Sequence, residues 1–340
     1  MRIQQTAFSS GLPFLKGALH VHTTRSDGQQ TPEEIIRLHH QHGYDFMALT
    51  DHNIIGHPSP QGRVLATLGD CKQSQSPVGL KPDLRIGQVN LCPDVPMTLL
   101  AGIERDFGLP GRAADKPHCV HVVGLGVPGD ARIPPQDFHP QWAGRGESCM
   151  DAQPMIDEMH RWGMKTFYAH PEWSGTTYSD FGVLEGNFAM EVWNSGCAID
   201  NDLDNHAACW DEALDAGRRL WGVAVDDGHC LAHQCKGWVM VAAAGDPASI
   251  LAALEQGAFY ASCGPEIVDF CVEDGAAHIV CSPAASVQFV SLRHPLPCRR
   301  DPDGRLTHAS CELPEGLRYI RAVVKDAQGR QAWTNPIFLR

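Results

Sequence analysis

The chain has 340 residues, 43% of them hydrophobic and 20% charged, which is the make-up of a globular protein with room for one large domain and a smaller one. A formal net charge of −13 argues against a general nucleic-acid or membrane-surface binder, while an anionic substrate stays open if metal ions set the local field. No apolar run reaches membrane-spanning length, residues 1–16 lack a basic stretch followed by an apolar core, and thirteen cysteines without a CxxC pair favour reduced thiols, so a cytoplasmic location is expected.

The first predicted strand, Ala18 to His22, places His20 and His22 on one face because strand side chains alternate. Ser26-Asp27-Gly28 turns the chain. Thr31, Pro32 and Glu34 then supply an N-cap, a proline at the first helical position and the acid of a capping box, and Gly43 ends the helix. His39, His40 and His42 fall in its last turn, where imidazoles suit the negative end of the helix dipole; they receive no catalytic role. Residues 45–50 form the next strand, which delivers Asp51-His52-Asn53. Residues 54–96 are rich in Pro, Gly, Ser and Gln and read as a long inserted loop over the mouth of a site.

Glu104 follows the apolar run Met97 to Ile103, and a carboxylate there can bridge two cations. His118 and His121 are three apart and face opposite ways on a regular strand; His121 is preferred. Residues 110–117 and 126–146 read as further loops. A helix over 154–162 and a strand over 164–169 deliver His170-Pro171, and a strand over 188–193 ends in Asn194. A helix over 206–216 and a strand over 220–225 lead to Asp226-Asp227-Gly228-His229, in which Asp227 and His229 share a face and Asp226 points away. Strand, helix and strand follow over 237–244, 247–256 and 258–261. Repeated βα units predict an α/β fold with a parallel, barrel-like sheet over 1–262. From 263 to 340 only β-like runs remain, at 267–272, 278–281, 286–292, 317–325 and 332–339, predicting a small antiparallel, sandwich-like domain with no catalytic constellation.

Each candidate has a plainer reading when taken alone. An HxH pair is more often a pair of core or exposed histidines, Glu104 could pair with Arg105, and His170 could be a buried, hydrogen-bonded ring. The ordered set His20, His22, Asp27, His52, Glu104, His121, His170, Asp227 and His229 reads together as one polynuclear metal site, and hence as a metal-dependent hydrolase. Arg25 is a candidate to hold a phosphate and Asn194 to contact substrate.

The run from His20 to Gly28, the Leu49-Thr50-Asp51-His52-Asn53 block, Glu104, His121 to Leu125, Tyr168-Ala169-His170-Pro171 and Asp227-Gly228-His229 resemble, in order, the motifs of the PHP (polymerase and histidinol phosphatase) family of metal-dependent phosphoesterases. Glu191 to Gly196, Trp221 to His229 and the tail Ala332 to Ile337 are similar to a branch of carbaryl-hydrolase-like PHP proteins. The resemblance implies a distorted (β/α)7 barrel holding two or three divalent cations, commonly manganese, iron or zinc. It implies a first cation on His20, His22, Glu104 and Asp227, a second on Glu104, His121 and His170, and a third on Asp27, His52 and His229. It further implies a hydroxide held between cations as nucleophile, with Asp227 or His229 handling the proton. The expected substrate is a small phosphorylated metabolite. Two alternatives stand beside it: a carboxylic or carbamate ester cleaved by the same centre, and a non-catalytic metal-binding interaction module. No nucleic-acid or membrane partner is expected, and an oligomer formed through the C-terminal domain is compatible with the sequence.

Overall fold

The computed structural model of the chain describes residues 3–53, 56–58, 63–66, 89–90, 95–111, 118–127, 144–204, 206–291 and 294–339. Seven strands follow one another across a large sheet: β1 (Phe14–Ala18), β2 (Phe46–Ala48), β3 (Thr98–Gly108), β4 (Cys119–Gly126), β5 (Lys165–Tyr168), β6 (Asn187–Asn194) and β7 (Trp221–Val225). Helix α1 (Pro32–Gln41) joins β1 to β2, α2 (Gln153–Arg161) precedes β5, and α3 (Ser195–Asn201) and α4 (Ala207–Asp215) join β6 to β7. The predicted capping box opens α1: Thr31 Oγ1 accepts from Glu34 N at 3.3 Å and Glu34 Oε2 accepts from Thr31 N at 2.8 Å.

The sheet is mixed, which corrects the expectation of a parallel one. β1, β2 and β3 run parallel, as do β5, β6 and β7, but β4 is antiparallel to both β3 and β5. Among the described residues no helix lies between β3 and β4, so the chain can return as a hairpin arm instead of crossing over. All eight residues of β4 are buried, which is why their apolar run carries no alternation. Between β7 and β1 there is no ladder; one bridge pairs Val21 with Gly228, and Asp227 N donates to His20 O at 3.0 Å. Gly17 on β1 permits the close approach of β2, because a Cβ there would lie 1.9 Å from the Phe46 ring.

The insertion at 54–96 is not wholly a loop. Gly56–Pro58, Arg63–Ala66 and Val89–Asn90 form an antiparallel ladder, with Gly56 paired to Gly102 of β3. Residues 54–55, 59–62, 67–88 and 91–94, and most of 110–117 and 126–146, lie outside the described residues.

On the other side of β1 lie β8 (Trp238–Ala242), antiparallel to β1, and β9 (Phe259–Ser262), with α5 (Pro247–Glu255) between them. The tail contributes β10 (Ile267–Glu273), β11 (Ala276–Ala284), β12 (Ser286–Val290), β13 (Leu306–Glu312), β14 (Tyr319–Lys325) and β15 (Gln331–Thr334). β10, β11 and β13 form a separate antiparallel sheet, with Ile3–Gln4 from the start of the chain on its edge. β12, β14 and β15 form the facing layer, and β15 pairs with β9. The large sheet therefore runs on through position 262, where composition changes in the sequence. The core between the layers is shared as well: Phe270, Ile279, Phe289 and Ile320 pack in one cluster with Tyr260, Met240 and Phe14. None of the eleven cysteines among the described residues is in a disulfide, and no helix among those residues is long and apolar enough to cross a membrane.

Candidate metal centre

The ends of β1, β2, β5 and β7 meet the far half of β3 and the first half of β4. Because β4 is antiparallel, it delivers His121 from its beginning, and the register sets His121 opposite Asp106 and Val123 opposite Glu104. His118 sits apart, half-buried, with Nδ1 2.5 Å from Pro110 O. All nine expected donors converge here. Three groups have donor atoms within 4.8 Å of one another: His20, His22, Glu104 and Asp227; His22, Asp27, His52 and His229; and His52, Glu104, Asp106 and His121. His170 joins through Nε2, which lies 3.1 Å from Glu104 Oε1 and 3.8 Å from Asp227 Oδ2.

Glu104 stands at the middle and is fully buried. Its Oε1 faces His121 Nδ1 at 2.9 Å and His170 Nε2 at 3.1 Å, while its Oε2 faces Nε2 of both His20 and His22 at 3.2 Å and His52 Nδ1 at 3.1 Å. The two oxygens thus serve different sets of imidazoles. His20 Nε2 and His22 Nε2 approach to 3.1 Å, and His22 Nε2 lies 3.0 Å from Asp227 Oδ1.

Most ring orientations are fixed from behind. Nδ1 of His20 lies 2.6 Å from Glu191 Oε1, that of His52 2.9 Å from Asp106 Oδ1, that of His170 3.1 Å from Ser174 Oγ, and that of His229 2.9 Å from Asp227 O. In each case Nε2 is left facing the donors. Backbone strain gathers at the same place: His170, Asp227 and Asn53, which follows His52, have φ of 21°, 48° and 54°. Gly228 holds the Asp227–His229 turn close to Gln234, whose Nε2 donates to Gly228 O at 2.8 Å and would lie 2.3 Å from an added Cβ.

The electrostatics fit a cation-binding site. Burial disfavours charge on these rings, but Asp227, Glu104 and Glu191 outweigh it and hold His20 well above the ordinary imidazole value. His52 and His229 are raised to about 9 against the same burial, chiefly by Asp106 and Glu104 for the first and by Asp27 and Asp227 for the second. Burial likewise opposes the charge of Glu104 and Asp227, yet His20 and its neighbours hold both carboxyls well below their usual range. Protons on the imidazoles balance the carboxylates, and divalent cations would take over that balance and release the protons. Glu104 Oε2 and Asp227 Oδ1 are buried without a hydrogen-bond partner, as acceptors meant for a cation would be. The donor set fits the implied metals, since imidazole nitrogens and carboxylate oxygens suit zinc, iron and manganese.

Two expectations about substrate contact meet a different geometry. Asn194 is fully buried and committed internally: Oδ1 caps α3 through Cys197 N at 2.9 Å, and Nδ2 donates to Glu191 Oε2 at 2.9 Å and Asp227 Oδ2 at 3.1 Å. It braces the donors and has no group left for a substrate. Arg25 is buried on the turn between His22 and Asp27, its Nη atoms lack hydrogen-bond partners, and the charges acting on it are those of Asp51 and Glu33.

Asp226 turns away from the donors. Its carboxylate accepts from Cys235 N, Lys236 N and Gly237 N at 2.6, 2.8 and 2.8 Å, and lies 3.5 Å from His39 Nε2. His39, one of the histidines at the end of α1, is fully buried; burial lowers its pKa, but Asp226 and Cys235 raise it overall to about 9. A folded value above the unfolded 6.5 means that its stabilisation is complete below about pH 6.5 and lost as pH rises through about 9. The stability difference between the wild type and His39→Gln is therefore expected to shrink by roughly 3 kcal/mol across that window. Urea unfolding at a series of pH values measures it; a difference constant with pH contradicts the His39–Asp226 pair.

Sequence reasoning passed over Asp106 and Glu191. Asp106 lies two residues beyond Glu104 and so shares its strand face, and Glu191 is a lone acid inside the apolar run of β6; both signals were available.

No family model matches the chain, and no curated protein matches it. Among solved structures, one similar chain is a two-domain protein from Bacteroides vulgatus containing a predicted PHP-like metal-dependent phosphoesterase, at 12% identity over 96% of both chains with a TM-score of 0.48. A second is an amidohydrolase from Chromobacterium violaceum with bound sulfate and no metal, at 16% identity over 63% of this chain and 88% of that one, TM-score 0.35. A third is a candidate metal-dependent phosphoesterase from Bifidobacterium adolescentis, at 14% identity over 65% and 90%, TM-score 0.36.

Proposed function

We propose that this chain is a metal-dependent hydrolase of PHP type that cleaves a phosphate ester of a small metabolite. The observation that carries the reading is Glu104, whose two buried oxygens face different imidazoles, His121 and His170 on one side and His20, His22 and His52 on the other, as suits a carboxylate shared by two cations. The ordered motifs of the sequence support the family, and the row of seven strands with its Val21–Gly228 bridge supports the distorted (β/α)7 barrel. His20, His22, Glu104 and Asp227 would hold one cation, Glu104, His121 and His170 a second, and Asp27, His52 and His229 a third. Cations bound there supply a water of lowered pKa and neutralise charge developing on substrate oxygens.

The remaining work falls to the protein. His229 is the better placed of the two candidate proton carriers, because its side chain is 33% exposed against 11% for Asp227. Its Nδ1 is held by Asp227 O at 2.9 Å, so Nε2, 3.4 Å from Asp27 Oδ1, would serve one role at a time: ligand of the third cation or, with that cation absent, carrier of the proton to a leaving group. Fully buried His20, His22 and Glu104 exclude bulk water from the inner wall.

One observation favours a carbonyl ester as second substrate class. Arg25, the phosphate candidate of the sequence, is buried beside Asp51, and Arg105, the cation next to Glu104 in the chain, is tied to Glu158 and stacked on Trp162. Protein loaded with manganese, iron or zinc and assayed on phosphate monoesters, diesters, carboxylic esters and aryl carbamates should turn over a phosphate ester. Activity confined to carbonyl substrates would transfer the assignment to that class. No turnover together with less than about one bound metal per chain would remove the hydrolase reading altogether.

A further inference from the structure

We propose that two carboxylates outside the expected ligand set, Glu191 and Asp106, are positioning residues that set the ring orientation and tautomer of His20 and His52, and thereby how tightly the centre holds its cations. The proposal rests on the metal-centre reading above and deepens it.

Glu191 faces the same way as Ala189, two residues before it, and an irregularity in β6 brings Asn194 round to join it. The pairing with β7 shifts register between Glu191 and Trp193, so one residue is extra. In a regular strand Glu191 and Asn194, three apart, would face opposite sides; here Asn194 Nδ2 donates to Glu191 Oε2 at 2.9 Å. The fully buried carboxylate then ties three ligand blocks together. Oε1 receives His20 Nδ1 at 2.6 Å, Oε2 receives His170 N at 2.9 Å, and Asn194 passes the connection to Asp227 Oδ2 at 3.1 Å. An acceptor at that distance fixes the hydrogen on His20 Nδ1 and leaves the Nε2 lone pair for a cation.

Asp106 repeats the arrangement on the other side. It lies within reach of His52, Glu104 and His121, but both its oxygens are already engaged: Oδ1 with His52 Nδ1 at 2.9 Å, nearer than the 3.1 Å from that nitrogen to Glu104 Oε2, and Oδ2 with Asn53 Nδ2 at 3.0 Å. Asn53 N in turn donates to Glu104 O at 2.7 Å, which locks the β2 end against β3. His52 Nε2 is thereby turned to Asp27 Oδ2 at 3.6 Å. The engaged oxygens make Asp106 a support for His52 in preference to a ligand of its own.

Zinc titration of the metal-free full-length protein against a chelating indicator, with bound zinc counted by mass spectrometry, tests both residues. Glu191→Gln and Asp106→Asn are each expected to weaken one class of zinc site by about 10- to 100-fold while the other sites keep wild-type affinity. Nitrogen NMR of the zinc-loaded wild type is expected to show His20 and His52 protonated at Nδ1, and the variants a mixture of tautomers. Wild-type affinity in both variants overturns the proposal, as does equal weakening of every site, which would mark general structural damage. Should Glu191→Gln fail to fold by circular dichroism, Asp106→Asn, at a position less buried than Glu191, decides alone. A wild type that binds less than one zinc sinks the metal-centre reading itself, a separate outcome.

Discussion

Glu104→Ala is expected to remove at least one bound cation per chain and to lower kcat/KM by about 1,000-fold or more, a loss of about 4 kcal/mol of transition-state stabilisation. Glu104 faces His121 and His170 with one oxygen and His20, His22 and His52 with the other, so its removal opens two proposed sites at once, whereas loss of any one histidine opens one. Glu104→Gln separates charge from shape. The amide fits the space, but its NH2 presents hydrogens to one imidazole pair and keeps only one oxygen to share. It is expected to hold fewer cations than the wild type and to approach the alanine variant in rate. Metal counting and steady-state kinetics on whichever ester the wild type cleaves give the answer. A fully metallated Glu104→Ala protein retaining a tenth of wild-type turnover would contradict the shared-carboxylate reading.

Asp226→Ala is expected to cost about 3–5 kcal/mol of folding stability, because it leaves three backbone N–H groups and a buried imidazole without their acceptor. The effect reaches the centre through the chain. Asp226 anchors residues 235–237 and is covalently joined to Asp227, which bonds to the His20 backbone. A variant with slackened 226–237 therefore also binds metal more weakly. Asp226→Asn keeps one acceptor oxygen and should lose roughly half as much. Chemical denaturation of the metal-free proteins isolates the stability part, and a loss below about 1 kcal/mol would show that water replaces the carboxylate at little cost.

The legible part of the site is local. His20 with His22 and Asp227 with His229 are two apart on strands, and that spacing fixes which side chains share a face whatever the rest of the chain does. The placement of His121 opposite Asp106, by contrast, depends on β4 running against β3, and hydrophobicity carries no sense of direction. Helix limits at α1, α2, α4 and α5 agree with the capping and glycine signals to within a residue or two. The short α3, started by the Asn194 cap, was hidden because Asn194 had been given to the substrate. Glu191 escaped notice for a different reason. A charge inside an apolar strand takes on meaning only beside the groups that the fold brings to it, here His20 Nδ1 and His170 N. Leu306–Glu312 was missed because its alternation is made of polar residues and small ones, a pattern without strong apolar contrast.

The pairing of β9 with β15 bears on where the large sheet has its open border. An uncovered β9 would present a row of free backbone donors and acceptors, the kind of margin on which another chain can add a strand. Instead the sheet continues through β15, β14 and β12 to Cys298–Arg300, a strand of three residues that carries exposed Arg299 and Arg300. Short length and like charge make that margin a poor template for strand addition. The tail thus moves the open border of the large sheet to a place where it is guarded.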